Sequence, residues 1–332
     1  MRTHLEIVRR LADGRYHSGE SLAEDLGISR TAVWKAVRKA GEVLGLEVEA
    51  RRGRGYRLSE SLELLDAERI LGAMSRAARG RIARLEILDE VPSTNVRLMQ
   101  EGYEGAPSGT LCLAERQSAG RGRRGRGWVS PFGANVYLSL LWRFGAGPGA
   151  LGGLSLAAGA AVAEVLEAVG VGGIGLKWPN DLLWQRRKLG GLLLEVVAEA
   201  HGPSMVVLGL GLNTRLRGEQ IEAIDQPWVD LDEILGPGRY SRNRLAAALT
   251  DALTAALEQY GQAGLVPFLS RWERYDLYRG EIVGIHIGDR VVFGVQAGIT
   301  DQGGLRVDVD GTVETFQAGE VSLRDPNQSA VS

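Results

Sequence analysis

Residues 115–128 read Glu-Arg-Gln-Ser-Ala-Gly-Arg-Gly-Arg-Arg-Gly-Arg-Gly-Trp, and what this run is decides which kind of sheet surrounds it. Four glycines and five arginines fall within it. Glycine frees the backbone and lets it come close to a ligand, while arginine forks match carboxylate and phosphate oxygens. Charges this close repel, so the run is expected to stay mobile until an anion fills it. Gly120, Gly122 and Gly125 match G-x-G-x-x-G, but a dinucleotide turn must open a helix. Here Trp128-Val129-Ser130-Pro131-Phe132-Gly133 and a strand-like run from Asn135 to Trp142 follow, and Thr110 to Glu115 is a strand before it. No Gly-Lys-Ser/Thr follows either, which excludes a P-loop. A basic tail or nucleic-acid patch is the commoner fate of such composition, yet tails do not lie between two apolar strands. The stretch reads as a loop on a sheet that closes over something small and negative.

Around that loop the sequence gathers other polar groups. Leu85 to Leu88 is a short strand, then Pro92 stops it and Ser93 or Thr94 can cap a helix from Val96 to Gln100. Ser93, Thr94 and Asn95 therefore read either as a plain cap or as a hydrogen-bonding end for a ligand head. Leu151 to Val169 is an Ala- and Gly-rich helix suited to packing on a sheet. Lys177-Trp178-Pro179-Asn180-Asp181 ends a strand in a turn whose oxygens suit either a magnesium–phosphate group or ordinary turn chemistry. Lys188 enters the apolar strand Leu189 to Val197 and needs an anionic partner there. Met205 to Leu212 is a further buried strand, and its Gly209-Leu210-Gly211-Leu212-Asn213 end lets a flat ligand lie against backbone. Together these point to an anion-handling enzyme that moves a nucleotidyl or phosphoryl group.

The first sixty residues have a different character. Leu5, Val8, Leu11 and Ala12 keep helical spacing, Ser18 and Ser29 can cap two further helices, and Gly27 separates them. Arg30, Thr31, Trp34, Lys35, Arg38 and Lys39 fall on or near the open side of the third helix. Leu46 to Ala50 and Arg51 to Leu58 form a hairpin around Arg52-Gly53-Arg54. Helix–turn–helix plus wing is a DNA reader's pattern. Twelve Lys and Arg oppose nine Asp and Glu in residues 1–60, leaving the remainder at about −5 of the total −2. That local excess favours phosphate contact, with Arg30, Thr31, Lys35, Arg38, Lys39, Arg52 and Arg54 as the candidates. Ser59 to Ala67 reads as a link.

The 332 residues are long enough for two or three domains, and 44% apolar with 24% charged residues is ordinary for a globular protein. The one cysteine, Cys112, sits in an apolar run, which excludes an internal disulfide and favours a reducing compartment. Scattered histidines suggest no zinc site. Charges near the N-terminus do not suit a secretory signal, and Glu164 and Glu167 interrupt the best membrane candidate, so a cytoplasmic protein without a membrane partner is expected. After amphipathic helices at Asn243 to Gly261 and Leu265 to Tyr275, short alternating strands begin: Ile282 to Ile287, Arg290 to Ala297, Leu305 to Val309 and Val313 to Gln317. Gly288-Asp289, Gly303-Gly304 and Asp310-Gly311 punctuate them, the pattern of a small SH3-like barrel. The tail from Pro326 to Ser332 is expected to fray.

The motifs Ser93-Thr94-Asn95, Gly120 to Arg126 with Trp128, Lys177 to Asp181, Lys188-Leu189-Gly190-Gly191 and Gly209 to Asn213, in this order, resemble the bifunctional biotin–protein ligases that also repress the biotin operon (BirA type). The resemblance covers essentially the whole chain. It implies a winged helix-turn-helix domain (1–60), an α+β catalytic domain with a mixed, class II synthetase-like sheet (67–275) and an SH3-like β-barrel (276–325). The implied reaction joins biotin to ATP as biotinyl-5′-AMP, with Mg2+, and then passes biotin to a lysine of a biotin carboxyl carrier protein. By the same resemblance, Ser93, Thr94, Asn95 and Gln117 hold the biotin head. Gly120, Arg121, Gly122 and Arg123 clamp its carboxylate side, and Gly209 and Gly211 line its tail. Lys188 and Arg123 are the catalytic candidates, and Asp181 with Asn180 helps place magnesium and triphosphate. Arg126, Trp128, Asn213 and Arg324 lie toward the adenylate, although Arg324 also reads as a plain surface arginine. Operator DNA and a ligand-promoted homodimer are the implied partners. Two alternatives stay open, a ligase with a vestigial head and a related lipoate ligase. Gly127, where some relatives carry lysine, departs from the pattern.

Overall fold

The structure is a computed structural model that describes residues 3–198, 203–288, 290–318 and 321–324, the side chains of 198, 219, 220 and 321–324 excepted. The expected tail from Pro326 to Ser332 and the Asp289 half of one turn lie outside the described residues, as does the Arg324 side chain.

Helices α1 (Thr3–Leu11), α2 (Gly19–Leu26) and α3 (Arg30–Leu44) form the head with a hairpin of β1 (Val48–Arg51) and β2 (Gly55–Leu58). Local chemistry sets their ends. Ser18 and Ser29 accept the N–H of Ser21 and Ala32, and Gly27, at φ 63°, closes α2. Ile7, Leu11, Leu22, Val33, Ala36, Val37 and Leu58 close a core of their own. The wing is pinned at its root by paired bonds between His17 and Tyr56 of 2.8 and 2.9 Å. There Gly55, at φ 98°, lies so close to the His17 carbonyl that no side chain fits.

The expected link is not a free tether. Glu63 accepts from Ser241 Oγ and the Arg242 amide at 2.6 Å each, satisfying the open end of a long helix. Burial works against its charge, but Ser241, Asn243 and the backbone of Arg242 outweigh that and hold its carboxyl below the usual range. Leu65 is buried in the main core, and its N–H donates to Glu115 at 2.5 Å. Apolar and acidic residues inside the link therefore pack it onto the domain it leads to.

Next come α4 (Ala67–Ala73), α5 (Arg76–Arg81), β3 (Arg84–Leu88), α6 (Thr94–Tyr103), β4 (Thr110–Ala114), β5 (Val136–Phe144) and α7 (Leu154–Ala168). They are followed by β6 (Ile174–Lys177), β7 (Asp181–Trp184), β8 (Arg187–Ala198), β9 (Ser204–Leu212), α8 (Leu231–Leu235), α9 (Arg242–Ala263) and α10 (Leu269–Tyr275). The seven strands lie in the order β3-β4-β5-β9-β8-β7-β6; only β3 and β4 pair in parallel, so the sheet is mixed as expected. The hairpin of β6 and β7 was not foreseen, because Lys177 to Asp181 reads as a turn without showing that Asp181 opens a strand. The last expected helix begins instead as a 3-10 turn at Val266–Phe268.

Alternation places Leu138, Leu140, Leu208, Leu210 and Leu212 on one face, in a continuous core with α7 and α9. Together with the turn before it, α7 is long and apolar enough to cross a bilayer, but it is packed inside this core. The opposite face carries Cys112, Leu141, Met205 and Val207 under α6, then small residues toward the strand ends. Burial pushes the Cys112 thiol up to about 12, so it is inert at neutral pH.

The last unit is an antiparallel sheet of β10 (Ile282–Ile287), β11 (Arg290–Ile299), β12 (Leu305–Val309), β13 (Thr312–Phe316) and β14 (Val321–Arg324), in the order β13-β12-β11-β10-β14. Its Val283, Ile285, Leu305 and Val307 join the main core, and Trp178 Nε1 donates to the Gly303 carbonyl at 3.1 Å.

Candidate functional site

A cavity of about 940 Å³ opens on the face of the sheet opposite α7, within the size range of small-molecule sites. Its floor is the small-residue end of β9 with the neighbouring parts of β5 and β8. A Cβ on Gly209 would clash with the Asn95 amide, and one on Gly211 would meet the Trp128 indole at 2.6 Å. Both glycines line the cavity, but the room they leave is already filled by Asn95 and Trp128. Alternation along Gly-Leu-Gly-Leu thus gives a leucine core beneath and, above, bare backbone on which Asn95 and Trp128 close.

One end of the cavity is polar and closed. Ser93 caps α6 through Val96 N–H at 3.5 Å, and Ser93, Thr94 and Asn95, which line the cavity, are each 3% exposed. The Thr94 N–H donates to Gln117 Oε1 at 2.9 Å. That bond fixes the glutamine amide, so Nε2 points the other way, toward Ser130 Oγ at 3.2 Å. Ser139 Oγ lies 2.7 Å from Thr94 Oγ1 and 2.6 Å from Asn95 Oδ1. Asn95 Nδ2 donates to Glu195 Oε2 at 2.9 Å and to the Leu193 carbonyl at 3.3 Å. Sequence reasoning missed Ser139 and Glu195. Nothing local marks either, since they meet Asn95 only because β5, β9 and β8 are neighbours.

The other end is charged. The arginine run is not shapeless: Trp128 N–H donates to Gly120 O at 2.9 Å and Gly122 N–H to Arg126 O at 2.8 Å. These bonds make a narrow hairpin lobe, and its limbs can approach because a Cβ on Gly120 would strike the Trp128 carbonyl. Arg121, Arg124 and Arg126 are exposed on the lobe. Arg123 turns inward, donating to Asn180 Oδ1 at 3.3 Å and to the Ala318 carbonyl of the C-terminal unit. Burial pulls the Arg123 guanidinium below its ordinary value, with Asp181 opposing. Asn180 Nδ2 is also engaged, on the Leu192 carbonyl at 2.6 Å.

The anionic partner that Lys188 needs is Asp181, with which it forms an ion pair; its Nζ lies 5.7 Å from the Trp128 ring centroid. Burial opposes the Asp181 charge, but Lys188, Lys177 and Arg123 outweigh it and hold the carboxyl below its usual range. Among the described residues no three metal-ligating side chains cluster. The donor set is one carboxylate beside one amide, which suits a magnesium that arrives on a triphosphate rather than a protein-made cage.

Asn213, expected toward the adenylate, lines a small recess with Trp128, Lys188 and Trp228; it is 4% exposed and its amide donates to the Lys188 and Val229 carbonyls, both at 3.2 Å. It staples the strap 213–230 to β8, where Lys188 N–H also donates to Pro227 O at 2.8 Å. This strap was missed, although Asp225, Gln226 and Pro227 line the cavity and Trp228 stands beside Lys188 and Trp128. The arginine lobe is rooted against the head as well. Arg116 donates to the Val43 carbonyl at 2.7 Å, and Phe132 packs with Leu5, Val8, Ala40 and Leu44.

Comparison with known proteins puts this geometry in company. Residues 88–213 match the model of the biotin/lipoate A/B protein ligase family, and residues 3–57 match a helix-turn-helix domain. The chain is 43% identical over 320 residues to the bifunctional ligase/repressor BirA of Escherichia coli K12, covering 96% of this chain and 97% of that one. It is 37% identical over 245 residues to the biotin–[acetyl-CoA-carboxylase] ligase of Mycobacterium tuberculosis, covering 72% and 88%. In three dimensions it is similar to the biotin protein ligase from Aquifex aeolicus in complex with biotin and ATP. That likeness has a TM-score of 0.62 and 29% identity over 73% of this chain and 99% of that one.

Proposed function

The chain belongs to the BirA-type family of bifunctional biotin–protein ligases and repressors, and from that premise we propose how its own residues carry out the work. The protein is an ATP-dependent biotin–protein ligase with a helix-turn-helix repressor domain. The carrying observation is a single cavity with a neutral polar pocket at one end and Arg123, Lys188 and Asp181 at the other.

In this reading the ureido ring of biotin enters the polar end. Thr94 Oγ1 faces one of its N–H groups, and the second hydrogen of Gln117 Nε2 meets its carbonyl. The apolar tail passes the Asn95 and Trp128 side chains that cover Gly209 and Gly211, and the carboxylate reaches the charged end. There it attacks the α-phosphorus of ATP, the bond to the bridging oxygen breaks, and pyrophosphate leaves. Lys188 gives up part of its hold on Asp181 to the charge growing on the phosphoryl oxygens. Arg126 lies toward the phosphates, Arg121 and Arg123 toward the carboxylate side, and Trp128 and Trp228 offer aromatic surface toward the adenylate. Magnesium, when present on the triphosphate, supplies charge neutralisation beside Asp181 and Asn180. The carrier lysine then attacks the acyl carbon as a free amine, AMP leaves with its phosphate oxygen, and the amine proton passes to solvent. The arginine lobe keeps water off the mixed anhydride meanwhile. Incubation with ATP, magnesium, biotin and a biotin carboxyl carrier domain should add one biotinyl mass to a single carrier lysine. A carrier unchanged in mass refutes the reading.

The exposed row Arg30, Thr31, Lys35, Arg38 and Lys39 on α3, with Arg52 and Arg54 in the wing, is our candidate operator face. In support, each of these residues is exposed while the opposite side of α3 is core. Lys35→Ala should weaken operator binding and flatten its salt dependence by about one unit of slope; an unchanged slope places the contact elsewhere. The domain limits 1–60, 67–275 and 276–325, the class II synthetase-like sheet and the SH3-like closure of the C-terminal strands belong to the same proposal. So do a cytoplasmic location and a ligand-promoted dimer joined sheet to sheet. For the dimer, the supporting feature is that β8 continues past β7, so residues 193–198 pair with β9 alone among the described strands. Sedimentation with and without biotinyl-AMP decides it; one unchanged monomer boundary refutes it.

A further inference from the structure

We propose that Glu195, outside the cavity's lining, sets the direction of a hydrogen-bond chain through Asn95, Ser139 and Thr94, and thereby makes the pocket accept a ligand N–H. The inference rests on the reading that biotin's ureido ring occupies this end.

The argument is a count of protons. Asn95 Nδ2 faces two groups that only accept, the Glu195 carboxylate at 2.9 Å and the Leu193 carbonyl at 3.3 Å. The amide therefore turns its Oδ1 to Ser139, and Oδ1 also only accepts. Ser139 has one proton, and at 2.6 Å from Oδ1 it is committed there. The next contact, Ser139 Oγ to Thr94 Oγ1 at 2.7 Å, still needs a proton between its oxygens, and only Thr94 has one left to give. Thr94 Oγ1 and Gln117 Oε1, 3.1 Å apart, are then left side by side as acceptors. Gln117 Oε1 cannot change role, because it already takes the Thr94 N–H. Ser139 and Asn95 are 0% and 3% exposed, so water cannot re-set the chain from within. Glu195 acts through Asn95 rather than on the ligand, which makes it a positioning residue. Gly209 is part of the device, since any side chain there would expel the Asn95 amide.

A cation at position 195 reverses every link. In Glu195→Lys the amide gives up its 3.3 Å bond to the Leu193 carbonyl and offers Oδ1 to the new ammonium and Nδ2 to Ser139. Ser139 then donates to Thr94, whose own proton is no longer taken by Ser139 and can turn from Gln117 Oε1 to a ligand acceptor. The probes are biotin and its two regioisomeric cyclic carbamates, in which ring oxygen replaces one ureido N–H. Binding is measured by calorimetry without ATP. The wild-type protein should reject one carbamate strongly, because an acceptor would face an acceptor. Glu195→Lys should bind biotin about ten- to hundredfold more weakly and gain on that carbamate relative to biotin. Glu195→Gln, which keeps an acceptor oxygen, should stay close to wild type. Ser139→Ala frees the Thr94 proton, so it should shrink the discrimination whether or not Glu195→Lys folds.

Equal losses for biotin and carbamate in Glu195→Lys, no change at all, or full discrimination in Ser139→Ala would each overturn the proposal. Thr94→Val separates it from the reading beneath it. If biotin affinity survives that change, the ureido ring is not at this end. If affinity falls while Glu195→Lys shows no altered preference, only the role of Glu195 fails.

Discussion

Replacing Lys188 with alanine should slow adenylate formation by about 10²–10³ while weakening biotin binding far less. The ammonium sits at the charged end of the cavity, away from the polar pocket read as holding the biotin ring, so ground-state binding has little to lose. Its partner Asp181 is kept ionised by Lys188, Lys177 and Arg123 together, and removing one cation leaves that carboxylate facing incoming phosphate oxygens. The loss is therefore twofold: a missing positive charge and a less compensated negative one. Pre-steady-state release of pyrophosphate, set beside calorimetric biotin affinity, separates the two effects. Equal losses in rate and affinity would make Lys188 a binding residue and remove its catalytic role.

A second large effect is expected far from the chemistry. Glu115 and Arg242 form a 2.7 Å ion pair at 3% and 5% side-chain exposure. The arginine also donates to the Asn135 and Glu63 carbonyls, and the carboxylate accepts the Leu65 N–H. Each guanidinium nitrogen and each carboxylate oxygen of the pair has a partner, which is the condition under which a buried pair is tolerated. Glu115→Ala leaves a buried guanidinium without its counter-charge and should cost about 3–5 kcal/mol in urea unfolding. The double change to Glu115→Met and Arg242→Met should cost much less than the two single changes summed. A single-variant loss below about 1 kcal/mol, as for surface pairs, would contradict this account. Because Glu115 ends the strand that leads into the arginine lobe, and Leu65 belongs to the chain arriving from the head, this variant should also loosen the lobe's root.

The head was legible from sequence because its signals are local. Ser18, Gly27 and Ser29 each act on residues three or four positions away, and the apolar spacing marks which side of α3 is buried. The candidate site was legible where chemistry is concentrated in one run, as in Gly120 to Trp128, or where a single residue is anomalous, as with Lys188 in an apolar strand. It was not legible where a role depends on strand order. Ser139 and Glu195 look like ordinary alternating polar positions until β5, β9 and β8 are known to be adjacent. Asn213 closes a motif, yet its amide is spent on the Lys188 and Val229 carbonyls, and Trp228 sits in a strap whose course no periodicity reports. That the link at Glu63 to Leu65 is bonded in place was not legible, because a cap supplied from 180 residues away leaves no local trace.

The central claim is that the cationic lobe folds over an activated biotin and shields it until an amine arrives. Hydrogen exchange at residues 120–128, followed in the protein alone and with biotin, ATP and magnesium but no carrier, tests it most directly. The account predicts strong slowing of exchange across the lobe once biotinyl-AMP has formed, with fast exchange returning when carrier is added. Unchanged exchange in the lobe while biotinyl-AMP remains bound would contradict it.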